Sequence, residues 1–152
     1  MPQSYPGAVP QTSPPERVLV VDTANWMGSR PDGWWRDRAG AARRLLAALE
    51  PLVGRQVEVG AAPVRLGAVV AVLEGLARSA VTGPQGAAGP VALVDVVLAE
   101  RDGDEAVVAR ALRVLADGRV PLVVTADRGL VERLPAGADV TGPGWLNALT
   151  GR

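Results

Sequence analysis

Arg17-Val-Leu-Val-Val-Asp-Thr-Ala-Asn25 is the stretch on which the reading of the fold turns. Val18 to Val21 are apolar without alternation, rich in β-branched residues, and run straight into Asp22. A short run of this kind reads as a strand buried on both faces, the middle of a parallel sheet. In such sheets ligands bind outside the carboxyl ends of the strands. Asp22 stands at that end. Asn25, three residues on, can turn back towards the same point.

Downstream of Asn25, residues 26–37 contain Pro31-Asp32-Gly33, a turn signal, and are expected to form a loop at the carboxyl edge of the sheet. Residues 36–52 carry Leu45, Leu46, Leu49 and Leu52 at helical spacing, with Asp37 near the first turn, where a negative charge suits the helix dipole. A short strand is expected around 57–59 and a second buried strand over 66–76, ending near Glu74. Residues 79–90 read as a flexible loop and 91–99 as a third strand. Asp102-Gly-Asp-Glu105 then opens a helix over 106–116, with Asp104 at the N-cap or in the first turn. A fourth strand over 120–125 repeats the pattern of the first and is followed by Asp127. A short helix (130–134), a fifth strand (138–141) and a closing helical turn (144–149) complete the chain. Residues 1–16 are rich in Pro, with Ser, Gln and Thr, and read as a disordered tail, leaving 17–152 as the folded domain. Strands alternating with helices predict an α/β fold of three layers, Rossmannoid, with a parallel sheet of about five strands flanked by helices.

Composition removes several kinds of chemistry. The chain has 152 residues, suited to one domain, with no cysteine and no histidine; all 16 basic residues are arginine. Disulfides, thiolate or imidazole metal sites, covalent lysine chemistry and the P-loop lysine are excluded. Any metal must be held by oxygen, which favours Mg²⁺ or Mn²⁺. The formal net charge is zero, so phosphate binding must come from a local patch rather than bulk charge. No apolar run is long enough for a membrane span and the first residues lack the pattern of a signal peptide. With no cysteine, a cytoplasmic setting is the expectation.

The acids give the chemical signal. Asp22, Glu74, Asp102, Asp104 and Asp127 all follow strands, so a parallel sheet of neighbouring strands brings them to one rim. Carboxylates gathered there repel one another and take up protons unless a counter-charge is supplied. A hard divalent cation supplies it, activates water and stabilises charge on a phosphoryl oxygen. Without His, Cys or Lys, metal-activated water is the hydrolytic nucleophile most readily available. Taken singly, Asp104 and Asp127 also read as helix caps and Asp102 as a turn residue; the ordered set is the stronger signal.

Val-Asp-Thr-Ala-Asn at 21–25, Asp-Gly-Asp-Glu at 102–105 and Val-Thr-Ala-Asp-Arg at 124–128 resemble, in this order, the three signature blocks of the PIN-like superfamily. The Asp-x-x-Asn spacing is similar to its NYN branch, and Ser29-Arg-Pro-Asp-Gly-Trp-Trp-Arg-Asp-Arg-Ala-Gly-Ala-Ala-Arg-Arg-Leu45 looks like a stretch seen in small bacterial NYN-like proteins. The resemblance spans about residues 17–147. It implies a metal-dependent endoribonuclease in which Asp22, Asp104 and Asp127 coordinate metal and Asn25 orients the first acid or the scissile phosphate. Glu105 matches a position that is often a second Asp.

Ser29, Arg30, Trp34, Trp35, Arg36, Thr125 and Arg128 complete the candidate set as contacts to a single RNA strand, aromatics stacking bases and arginines holding phosphates. The function expected is hydrolysis of single-stranded RNA by a PIN/NYN-like ribonuclease. The competing readings are a catalytically degenerate PIN-like module that binds RNA or protein, and a nucleotide phosphohydrolase. No membrane partner is expected, and a homodimer is an assembly open to the chain.

Overall fold

The computed structural model describes residues 13–78 and 93–152. Its central strand, β1 (Glu16–Asp22), pairs in parallel with β3 (Ala62–Leu73) on one side and with β5 (Pro121–Val124) on the other. Val18 to Val21 are all buried, as the unalternating apolar run requires. Outside β3 lies β4 (Val94–Leu98), also parallel, and outside β5 lies β6 (Asp139–Thr141).

One strand breaks the parallel pattern. β2 (Gln56–Val59) pairs antiparallel with the first residues of β3, so the sheet is mixed and has six strands among the described residues, where a parallel sheet of about five was expected. Val59 pairs with Ala62, leaving Gly60-Ala61 as a two-residue link in which Gly60 has φ 62°. Hairpins this tight require a positive φ, which glycine adopts without strain. The second strand therefore starts at Ala62 rather than Leu66. Its first part closes the hairpin and its second part joins the parallel core. Pro63 and Arg65 interrupt the apolar pattern in the hairpin part, which hides it from periodicity.

The helices cover both faces. α1 (Thr23–Gly28) and α2 (Arg38–Leu49) pack on one face with α5 (Pro143–Thr150), and α3 (Gly103–Ala116) and α4 (Arg128–Arg133) on the other. Alternate residues of β1 divide between the two cores. Leu19 and Val21 join Trp26, Leu45, Leu46, Leu49 and Leu146; Val18 and Val20 join Val107, Ala111, Val114 and Leu130. Three layers follow from this two-sided burial.

Residues 23–28 form a helix that takes in the start of the loop expected over 26–37, because Asp22 caps it by accepting the Asn25 N–H. A single 3₁₀ turn (Trp34–Arg36) follows before α2, whose N-cap Asp37 accepts from Gly40 N–H at 2.9 Å. Of the expected tail, residues 1–12 lie outside the described residues, as do the expected loop over 79–90 and the start of the third strand at 91–92. Glu16 belongs to β1. No helix among the described residues is long and apolar enough to cross a membrane.

Candidate active site

Strand order β4-β3-β1-β5-β6 means that the chain builds outward from β1 in one direction, then returns across the sheet through α3 to build in the other. The order reverses between β1 and β5, and a crevice opens outside their carboxyl ends at such a point. Asp22 is the last residue of β1 and Thr125 follows the last residue of β5.

The two are bonded. Thr125 Oγ1 donates to Asp22 Oδ2 at 2.9 Å and accepts from Asp127 N–H at 3.2 Å. Asn25 N–H donates to Asp22 Oδ1, and Asn25 Oδ1 accepts the Ala126 N–H at 2.9 Å. Asn25 thus ties the turn after β1 to the turn after β5, with Asp22 held between them. Thr125 is 2 % exposed, so it is a positioning residue beneath Asp22 and not the surface contact to RNA expected of it.

Asp22 is itself 7 % exposed. Burial raises its carboxyl above the usual range; Asp104 and Glu74 raise it further, while the Thr125 hydroxyl and the Asn25 N–H oppose the shift. Asp104, in the first turn of α3, is also raised, by burial and then by Asp127 and Asp102, against a weaker opposing effect of Arg133, whose Nη1 lies 3.8 Å from Asp104 Oδ2. Asp22, Glu74, Asp104 and Asp127 therefore act on one another across the rim, directly or through Asp104.

Several of these acids also serve the backbone. Asp102, not Asp104, is the N-cap of α3 and accepts from the N–H groups of Asp104 and Glu105. Asp127 caps α4 through the Leu130 N–H. Glu74 Oε2 accepts the Gly103 N–H, and a β-carbon on Gly103 would stand only 2.8 Å from that oxygen. Glu74 thus meets the start of α3 at the glycine of Asp102-Gly-Asp-Glu105. Glu105 does not turn to Asp22: it is exposed and lines a groove between β4 and α3 with Asp102, Arg110 and Arg113.

The Trp-rich segment divides between packing and surface. Trp26 is fully buried and its Nε1 donates to Asn147 Oδ1 at 2.8 Å. Asn147 Nδ2 donates to Ser29 Oγ, which donates to the Trp26 carbonyl. Arg30 donates to the Arg152 carbonyl, and Arg152 to Asp32. Ser29 and Arg30, expected to meet RNA, are exposed and also tie this segment to the end of the chain. Trp145 packs against the core and donates from Nε1 to the Glu58 carbonyl. Trp34 is half-buried with the Arg38 guanidinium 5.6 Å from its ring; Trp35 is 50 % exposed with Arg36 at 6.0 Å. Arg128 is exposed beside Asp127.

Oxygen donors alone, gathered with their charges opposed, have the chemistry a hard cation takes. As the side chains stand, no three acids among the described residues are close enough to hold one ion as a cage. Mg²⁺ does not require a cage: it keeps several waters and is held through one or two carboxylates together with substrate phosphates. Asp22 and Asp104, with Asp127 beside Asp104, fit that mode.

No family model, characterised protein or solved structure matches this chain.

Proposed function

We propose that the chain is a metal-dependent ribonuclease of the PIN/NYN-like kind that hydrolyses single-stranded RNA. The observation that carries this reading is the buried Asp22, fixed by Thr125 and Asn25 at the reversal of strand order and opposed there by Asp104 and Glu74. A buried acid facing like charges is unfavourable to the fold alone and is the kind of arrangement found where charge is needed for chemistry. Asp22 and Asp104 would hold Mg²⁺ or Mn²⁺, with Asp127 adding negative charge beside Asp104. The cation supplies Lewis acidity and charge neutralisation at the phosphate.

The chain's own residues do the rest. Thr125 and Asn25 hold Asp22 in one rotamer. Arg128, exposed beside Asp127, is placed to meet a phosphate, and Trp35 with Arg36 offers a stacking surface on the adjoining turn. Water adds at phosphorus and loses a proton, the bridging phosphorus–oxygen bond breaks, and the leaving oxygen takes up a proton, so that the products are a terminal phosphate and a free hydroxyl. With no net charge on the chain, affinity for RNA is modest and falls with salt.

The test is cleavage of a labelled single-stranded RNA with Mn²⁺, with EDTA, and by the Asp22→Asn variant. Cleavage only by the wild-type chain with metal supports the reading; equal cleavage in all three assigns the activity to a contaminant. A second reading, a PIN-like module that binds RNA without cutting it, is favoured by the absence of a preformed three-acid cage among the described residues and by the outward turn of Glu105. Metal-independent RNA binding with no products selects it.

A further inference from the structure

Beside Asp22, the structure holds a pocket of about 210 Å³ that the proposed chemistry leaves unused. Trp34 forms one wall and Met27 and Leu73 contribute apolar surface. Glu74 and Arg38 are the charged residues of its lining, the first an acceptor and the second a donor. Thr23 and Ala24, the two residues that follow Asp22, complete the side towards the acids. We propose that this pocket is a nucleobase subsite selective for guanine, an inference that rests on the ribonuclease reading for the position of the phosphate.

Size is the first argument. The volume lies below the roughly 300–1,000 Å³ of pockets that enclose drug-sized ligands. One flat ring system fits and a whole nucleotide does not, so sugar and phosphate stay outside. The lining at Thr23 and Ala24 makes the acid rim their nearest neighbour.

The walls are the second argument. An indole beside apolar side chains suits a flat aromatic ligand of any base, since every base has a π-face. Trp34 is also held in place: Arg38 sits 5.6 Å from its ring, and Trp35 meets it edge-on with centroids 5.8 Å apart. A braced ring loses little freedom on binding.

Arg38 also lines the pocket, but every base offers its donors an acceptor, so the choice among bases falls to Glu74. An ionised carboxylate only accepts hydrogen bonds, with about four lone-pair sites on two oxygens. One site is filled by the Gly103 N–H at the start of α3, which anchors the side chain. The rest are matched by a base edge with adjacent N–H donors. Guanine presents its ring N1–H and exocyclic N2 amine side by side; adenine and cytosine present an amine next to an acceptor nitrogen, and uracil a single imide N–H. Rejection is strong when a polar group built for a partner is left without one.

The experiment is calorimetric titration of the full chain with guanosine, adenosine, cytidine and uridine in EDTA, with the wild type, Glu74→Gln and Trp34→Leu. Gln keeps an oxygen for Gly103 N–H while losing the second acceptor. Guanosine is expected to bind at least tenfold more tightly than the other three, Glu74→Gln to abolish that preference, and Trp34→Leu to weaken all binding. Equal affinity for the four nucleosides in the wild type, or a guanosine preference intact in Glu74→Gln, overturns the inference. Because nucleosides carry no phosphate and the buffer no metal, the outcome is separate from cleavage. Guanosine selectivity without RNA cleavage upholds the subsite and overturns the ribonuclease; cleavage without base preference does the reverse.

Discussion

At Asp22 burial works against ionisation, while the Thr125 hydroxyl and the Asn25 N–H work for it. The net shift is upward from 3.8, so the folded state binds this proton more tightly than the unfolded chain does. Stability from that tighter binding is fully present below the unfolded value and is lost as pH rises through the raised folded value. At neutral pH the ionised group is a liability to the fold. Asp22→Asn is therefore expected to raise the melting temperature at pH 7, with the gain shrinking towards zero below about pH 4, while cleavage disappears. Thermal melts across pH check this; a lower melting temperature at pH 7 would contradict it. Asp22 and Asn25 were legible in the sequence because an unalternating run of β-branched residues ends on them. The part played by Thr125 was not. Its hydroxyl meets Asp22 because β5 lies beside β1 with Val21 opposite Val124, and no local pattern encodes that register.

Among the elements, the N-caps carry much of the site. Asp22, Asp37, Asp102 and Asp127 cap four helices, and two of them belong to the proposed metal set. Structural and chemical roles separate by substitution, since Asn caps nearly as well as Asp and Ala does not. Asp127→Asn is expected to keep stability within about 0.5 kcal/mol and to reduce cleavage. Asp127→Ala is expected to lose about 1 kcal/mol as well. Asp102→Ala is expected to cost about 1 kcal/mol, a fall of roughly 2–4 °C in melting temperature for a domain of this size. Denaturant unfolding of the three variants checks both claims. The helices over 38–49 and 103–116 were legible from their leucine and valine spacing. α1 was not, because six residues, Thr-Ala-Asn-Trp-Met-Gly, are too few for periodicity and its cap looked like a strand end. The β2–β3 hairpin was hidden for a similar reason: Gly60 is a weak signal, and Pro63 falls within the strand.

For the whole molecule, two cores on opposite faces of one sheet supply the stability, and the acid rim spends some of it. Carboxylates that repel one another in the apo protein are relieved when a divalent cation binds, so the ion is a stabilising ligand of the native state alone. At a hundred times its dissociation constant it contributes about 2.7 kcal/mol, or roughly 5–10 °C in melting temperature. Asp22→Asn is expected to lose most of that response, and a metal shift equal in the two proteins would place the ion elsewhere. The α/β class was visible from the alternation of strands and helices; the antiparallel β2 that makes the sheet mixed was not. The ties of Ser29 and Arg30 to the end of the chain were not, since they depend on Asn147 and Arg152, more than a hundred residues away.

The central claim, that acids from three separate turns act on one ion, is tested most directly by titrating Mn²⁺ into ¹⁵N-labelled protein and recording which amide signals its paramagnetism broadens. Broadening that begins together at residues 22–25, 103–105 and 126–128 and saturates at one equivalent is the predicted result. Broadening confined to one of these turns, or centred outside them, contradicts it.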